Sequence, residues 1–301
     1  MELTVLTRLR IIAAMAVGIG LLGFLAWPLV KPAEPLGAIT LYTGDINLQD
    51  AIVCILLAFF AGFLGQLISY PYGRQIGFLA VPSGLAAWSL RSGGMSCLLR
   101  MNNTLVKRQA LYGFLKWEGF FWLGIVFVGW LGVLAGETIF RSKPDPVIGE
   151  EGNGPKTNKG LSVVTALIAT IVITQFVIGI FAQDVKMFDV ELGSVVGQPG
   201  TGQIAFAVFV SFGISAFVVK KFLEISYIFP VVSAALLTLF SIKAYARDDV
   251  LAYMVENWPV AFYSRAICAI LPIQMVAFAV LGSVAGYWIA IKYAYWRKYG
   301  D

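Results

Sequence analysis

The sequence predicts an all-α protein, a polytopic transmembrane helical bundle of about eight membrane segments that forms a single integral membrane domain over residues 1–301. Three observations predict it. The chain is 59% hydrophobic and 13% charged, with a mean hydropathy of +0.81, whereas a soluble domain carries about 25% charged and about 45–50% apolar residues. The apolar excess is gathered into runs of about 17–25 residues, the length a helix needs to cross about 30 Å of hydrocarbon, not the alternating ten-residue stretches of a β-barrel. Finally, no Asp, Glu, Lys or Arg falls near the middle of a run, where it would cost several kcal/mol.

The first run, 11–30, follows Arg8 and Arg10 and has the layout of a secretory signal. A cut after Ala26 would place Phe24 at −3, where a small residue is required, so a retained signal anchor with an internal N-terminus is expected. The remaining runs are 51–70, 76–90, 119–135, 161–182, 204–219, 225–242 and 266–291. The third is short and interrupted by Pro82, Ser83 and Gly84, and it follows a Tyr70-Pro71-Tyr72-Gly73 turn. It is either a short span or a re-entrant hairpin. Lysines and arginines divide almost evenly between the two sides under both readings, so the positive-inside rule does not choose. The basic stretch 91–116 favours re-entry. The Lys220-Lys221 pair, the basic tail 292–298 and the acidic loop 184–191 favour eight spans, which is the expectation adopted, with both termini cytoplasmic and the bacterial inner membrane as the location.

Between the runs, residues 136–160 hold three prolines, five glycines and charges of both signs, the composition of a flexible polar loop. Residues 91–116 form an amphipathic basic connector: Leu98, Met101 and Leu105 share one helical side, while Arg100, Lys107 and Arg108 gather on another, a candidate contact for partners or anionic lipid. Residues 244–265 mix Tyr245, Tyr253, Trp258 and Phe262 with acids and arginines, as an interfacial amphipathic segment does.

The chain has no histidine. That removes bis-histidine haem sites, HExxH proteases and most Ser-His hydrolases. Three cysteines, Cys54, Cys97 and Cys268, form no CxxC motif and predict no disulfide framework. Neither Gly197-Gln198-Pro199-Gly200-Thr201-Gly202, which lacks the Lys-Ser/Thr of a phosphate loop, nor Asp248-Asp249, which has no second acidic motif, carries nucleotide or diphosphate chemistry. Asn102-Asn103-Thr104 fits a glycosylation pattern but lies among basic residues. No catalytic, cofactor-binding or metal-binding residue is expected, no cofactor is expected, and nucleic acid is excluded as a partner despite a net charge of +5.

What the runs do carry is neutral polarity, above all Gln66, Gln175 and Gln274, read as hydrogen-bonded glue between helices. Lys116, Glu118, Lys220, Lys221 and Glu224 read as solvated helix ends. Small residues at spacing four, Gly132 with Gly136, Gly282 with Gly286, Ala58 with Gly62 and Ala61 with Gly65, let helix backbones approach within the bundle. The expected function is a non-catalytic multi-pass subunit or scaffold of a larger membrane assembly, with lipids and other membrane subunits or a second copy as partners. A permease or channel for a small or lipidic solute, using the neutral polar residues and helices broken near Pro82, Pro230 and Pro272, is the alternative. A lipid-modifying enzyme comes third.

Overall fold

The computed structural model describes residues 5–34, 37–43, 46–70, 74–140, 159–183, 185–190, 193–257, 263 and 265–299. Seven helices are long and apolar enough to cross a membrane. The first crossing is α1 (Val5–Gly18), continued by a π-helical stretch, Ile19–Leu25, and followed by the single turn α2 (Trp27–Val30). Pro28 has no N–H to give to the carbonyl of Phe24, so the regular ladder fails here. Ala26 bonds instead to the Leu21 carbonyl five residues back, at 3.0 Å. The indole of Trp88 takes the neighbouring Leu22 carbonyl at 2.5 Å.

The second crossing is α3 (Leu48–Ser69). The chain then forms α4 (Arg74–Phe78) and α5 (Ala80–Arg91), which meet at Leu79 because Pro82 cannot donate to the carbonyl of Phe78. A short α6 (Met95–Met101) leads into α7 (Leu105–Phe140), a helix of 36 residues. Next come α8 (Lys159–Phe181), an antiparallel hairpin of β1 (Val185–Asp189) and β2 (Gly193–Gly197), then α9 (Thr201–Leu223) and α10 (Ile228–Tyr245). The chain ends with α11 (Asp248–Asn257), a 3₁₀ turn at Ala266–Ala269 and α12 (Pro272–Tyr299).

Glycine contacts fix the directions of these helices. A Cβ on Gly132 would stand 2.1 Å from the Phe59 carbonyl oxygen, and one on Gly136 would meet Gln66 at 3.1 Å, so α3 and α7 run parallel. A Cβ on Gly282 or Gly286 would strike the carbonyl of Phe209 or Gly213 at 2.2 or 2.0 Å, so α9 and α12 also run parallel. Gly18 lies against Ala80, and Leu22 against Gly84, which makes α1 parallel to α5.

Those directions decide the fate of the short third segment. Two parallel helices, α3 and α7, can be consecutive long spans only if the chain between them returns across the bundle. Gly93, just past α5, donates its N–H to the carbonyl of Gly37, ahead of α3, at 2.8 Å. At the other end Arg74 pairs with Glu137 at 2.5 Å, and the Trp288 indole bonds Gln75. Residues 74–91 therefore cross as an eighth segment and do not re-enter. At 1.5 Å per residue they reach about 27 Å, and nearly every side chain from Ile76 to Ser89 is buried in protein, where short or broken helices are tolerated.

The bundle thus has two faces. Both described termini lie on one, the terminal face, beside Arg74, Glu137 and Trp288. The loop before α3, α6, the start of α7, the hairpin and α11 lie on the other, the cap face. Most of the loop expected at 136–160 falls outside the described residues, although α7 continues to Phe140 and α8 begins at Lys159. Similarly, Trp258 and Phe262 of the expected interfacial segment lie outside them, while α11 is a short surface helix tied to α7 by Gln109 Nε2 donating to Asp248 Oδ1 at 2.9 Å.

Candidate functional site

Among the described residues the buried charged side chains, Arg108 and Glu118, both lie toward the cap face, and α7 carries them. At 1.5 Å per residue α7 is about 54 Å long, against a hydrocarbon core of about 30 Å. Its excess length projects as a post against which the cap packs. The buried side of this helix carries Arg108, Leu111, Leu115, Glu118, Trp122, Ile125, Gly129, Gly132 and Gly136, alternately three and four residues apart. That spacing keeps every one of them on a single helical stripe. Two charged groups therefore face inward.

Glu118 is 2% exposed. Its Oε2 accepts from the Thr40 hydroxyl at 2.6 Å, and its Oε1 accepts from the Trp122 indole at 2.8 Å and the Leu41 N–H at 3.3 Å. The carboxyl group thereby ties the loop before α3 to α7. Thr40 Oγ1 in turn accepts from the Tyr42 N–H at 3.1 Å. The expectation of a solvated helix end at Glu118 is corrected: with Leu41, Phe114, Trp117 and Phe121 it lines a small apolar cleft of about 200 Å³. Trp122 continues the node inward by packing edge-on against Trp88, 6.3 Å between ring centroids.

Arg108 is 1% exposed, and its Nε donates to the Asn102 carbonyl at 3.1 Å. It is thus not part of an exposed basic face with Arg100 and Lys107, because it points along the buried stripe. Arg100 and Lys107 are exposed, beside exposed Met101 and Val106. Asn102 also donates its Nδ2 to the Leu98 carbonyl at 2.9 Å, closing α6. On the same face, burial and the Glu34 carboxylate push the Cys97 thiol up while Arg100 pulls it down, so the group stays a thiol at neutral pH.

The three glutamines do not converge. Gln66 is buried near the terminal face, where the Ser69 hydroxyl donates to its Oε1 at 3.3 Å. Gln175 is half-buried and donates to the Tyr245 hydroxyl. Gln274 accepts from the Leu271 N–H at 3.1 Å, the return half of a capping box at the start of α12, with Pro272 in the first helical position. Its Nε2 is buried with no partner among the described residues. The hydroxyls inside the spans mostly bond their own helices: Thr170 to Ala166, Ser211 to Ala207 and Thr238 to Ala234. Thr174 and Ser215 bridge α8 and α9 at 3.1 Å.

Residues at the helix ends behave as interfacial anchors. On the terminal face Lys221 lies 4.7 Å over the Tyr293 ring and Lys220 5.3 Å over Tyr287. Gly132, Gly136, Gly282 and Gly286 all sit at contacts within the chain. Among the described residues no group of three or more acidic or thiol side chains could hold a metal ion.

No family model matches the chain, and no curated protein and no solved structure matches it. What the fold itself defines is a class, that of multi-pass α-helical integral membrane proteins.

Proposed function

We propose that this chain is a non-catalytic multi-pass subunit that holds other components of a membrane assembly, with the cap as its docking platform. The observation that carries this reading is the use of polarity. Among the described residues most polar side chains of the spans bond within their own helix or cap, Thr174 with Ser215 and Gln175 with Tyr245 bridge helices, and the long post of α7 braces a surface knit by Glu118, Arg108 and Gln109. Exposed Val106, Met101, Arg100 and Lys107 stand on that surface, a mixture of apolar and basic groups suited to an acidic or mixed protein face.

A permease would place its neutral polar residues along one shared path. Instead Gln66 and Gln274 lie at opposite ends of the bundle, and Pro230 and Pro272 each sit in the first turn of a helix, where a missing N–H costs nothing. Pro82 interrupts a crossing that is packed in protein, and Pro28 disturbs the first crossing at its cap end.

The test is purification of tagged protein from native membranes in mild detergent, with mass spectrometry of what co-elutes. A stoichiometric protein partner is expected, lost on the charge reversal R100E/K107E without loss of the folded chain. A homogeneous monomer with nothing bound, unaffected by that reversal, would sink the subunit reading and move the weight to transport.

A further inference from the structure

We propose that a cleft at the rim of the cap face binds the headgroup of a membrane phospholipid whose headgroup carries hydrogen-bond donors beyond the phosphate, ethanolamine or glycerol in preference to choline. The inference is independent of the subunit reading. Trp27, Lys31, Glu34, Gly37, Arg91 and Ser92 line a cleft of about 220 Å³ where the first and third crossings end. The Arg91 guanidinium is stacked 4.4 Å over the Trp27 ring and also faces Phe24, at 5.7 Å. Stacking fixes its plane and leaves its N–H groups free to donate.

Three ionisable side chains share this cleft without neutralising one another. Among the described residues neither Lys31 nor Arg91 comes within 4 Å of a carboxylate, although Glu34 lines the same space. The hydroxyl of Ser92 is shut off from solvent and has no partner among the described residues. Exposed charges of both signs at the boundary between membrane and water are open to a dipolar ligand. A phosphodiester would accept from Arg91 and Lys31, charge-assisted bonds in the geometry arginine favours. Glu34 would then accept from the ammonium of ethanolamine or the hydroxyls of glycerol. Choline has no N–H or O–H to offer it.

The position selects a lipid as the source of that phosphate. Phe24, Leu25 and Leu90, beside the cleft in sequence, are 66%, 61% and 53% exposed. They form an apolar flank for acyl chains directly below the headgroup.

The measurement is native mass spectrometry of the full chain, delipidated in detergent and titrated separately with phosphatidylethanolamine, phosphatidylglycerol and phosphatidylcholine. The first ethanolamine or glycerol lipid should bind about tenfold tighter than the choline lipid. The double variant K31Q/R91Q should lose that affinity by about tenfold or more, and Glu34→Gln should bring the ethanolamine-to-choline ratio close to one. All three side chains are exposed, so thermal melting should be unchanged. Equal binding of the three lipids, or parental binding by the double variant, would overturn the proposal. So would soluble glycerophosphoethanolamine competing at the same concentration as the lipid, because the site would then serve a free phosphate ester.

Discussion

The crossing formed by α4 and α5 and the crossing formed by α8 are built from opposite materials. The former contains Pro82, Ser83, Gly84 and Ser89, and nearly all of it is buried. In contrast, more than half of the 23 residues of α8 are Leu, Ile, Val or Phe, and it turns Val164, Ile168, Val172, Phe176 and Ile180 outward. The difference teaches that hydropathy reports the solvent a helix faces. A helix against lipid must be apolar outside, whereas one wrapped in protein needs small residues and satisfied hydroxyls. Strength of hydropathy is therefore a poor guide to how central a crossing is.

Breaking the inner seams tests that contrast most severely. Gly132→Leu would force at least 2.1 Å contacts with the Phe59 carbonyl to open, and backbone against backbone cannot relax by rotating a side chain. The variant should fail to give a monodisperse species by size exclusion, or should melt far below the parent. An unchanged melting curve would mean that α3 and α7 do not meet at this seam.

A smaller but still large loss is expected at the cap node. Glu118→Ala leaves the Trp122 indole, the Leu41 N–H and the Thr40 hydroxyl without their acceptor, and orphaned buried donors cost about 1–3 kcal/mol each. Allowing for water entering the space, the destabilisation should be about 3 kcal/mol. Glu118→Gln keeps the shape and an acceptor oxygen, so it should cost about 1 kcal/mol. Unfolding in a denaturant series reads both, and equal small effects would show that the loop before α3 is held by something other than this carboxyl group.

Most of the membrane architecture was legible from run lengths, because a lipid-facing helix advertises itself. The ends were less so. Apolar periodicity does not stop at the hydrocarbon boundary, and α7 extends from Leu105 to Phe140 where the run itself suggested 119–135. The signal for the longer helix is the alternating three-and-four spacing from Arg108 through Leu111 and Leu115 to Glu118 and Trp122, which places both charges on the buried stripe. Their partners were not legible: Thr40 lies 78 positions from Glu118, and nothing local to either residue announces the contact. The orientation of residues 74–91 was likewise invisible to charge counting, since it depends on the helix directions set by glycine contacts.

The outer face of α8 should be the quietest part of the molecule. Phe176 is 70% exposed and Val172 is 61% exposed, and lipid tails are as apolar as either side chain, so exchanging one apolar group for another changes little. Phe176→Leu and Val172→Leu should each shift stability by less than about 0.5 kcal/mol, the ordinary range for surface substitutions. Polar replacement is another matter, because an unsatisfied amide in hydrocarbon is costly, so Val172→Asn should impair membrane insertion where Val172→Leu does not. If the two leucine variants instead lost a co-purifying partner while melting normally, α8 would be a seam for another membrane subunit, and its exposed stripe would belong to the assembly instead of to lipid.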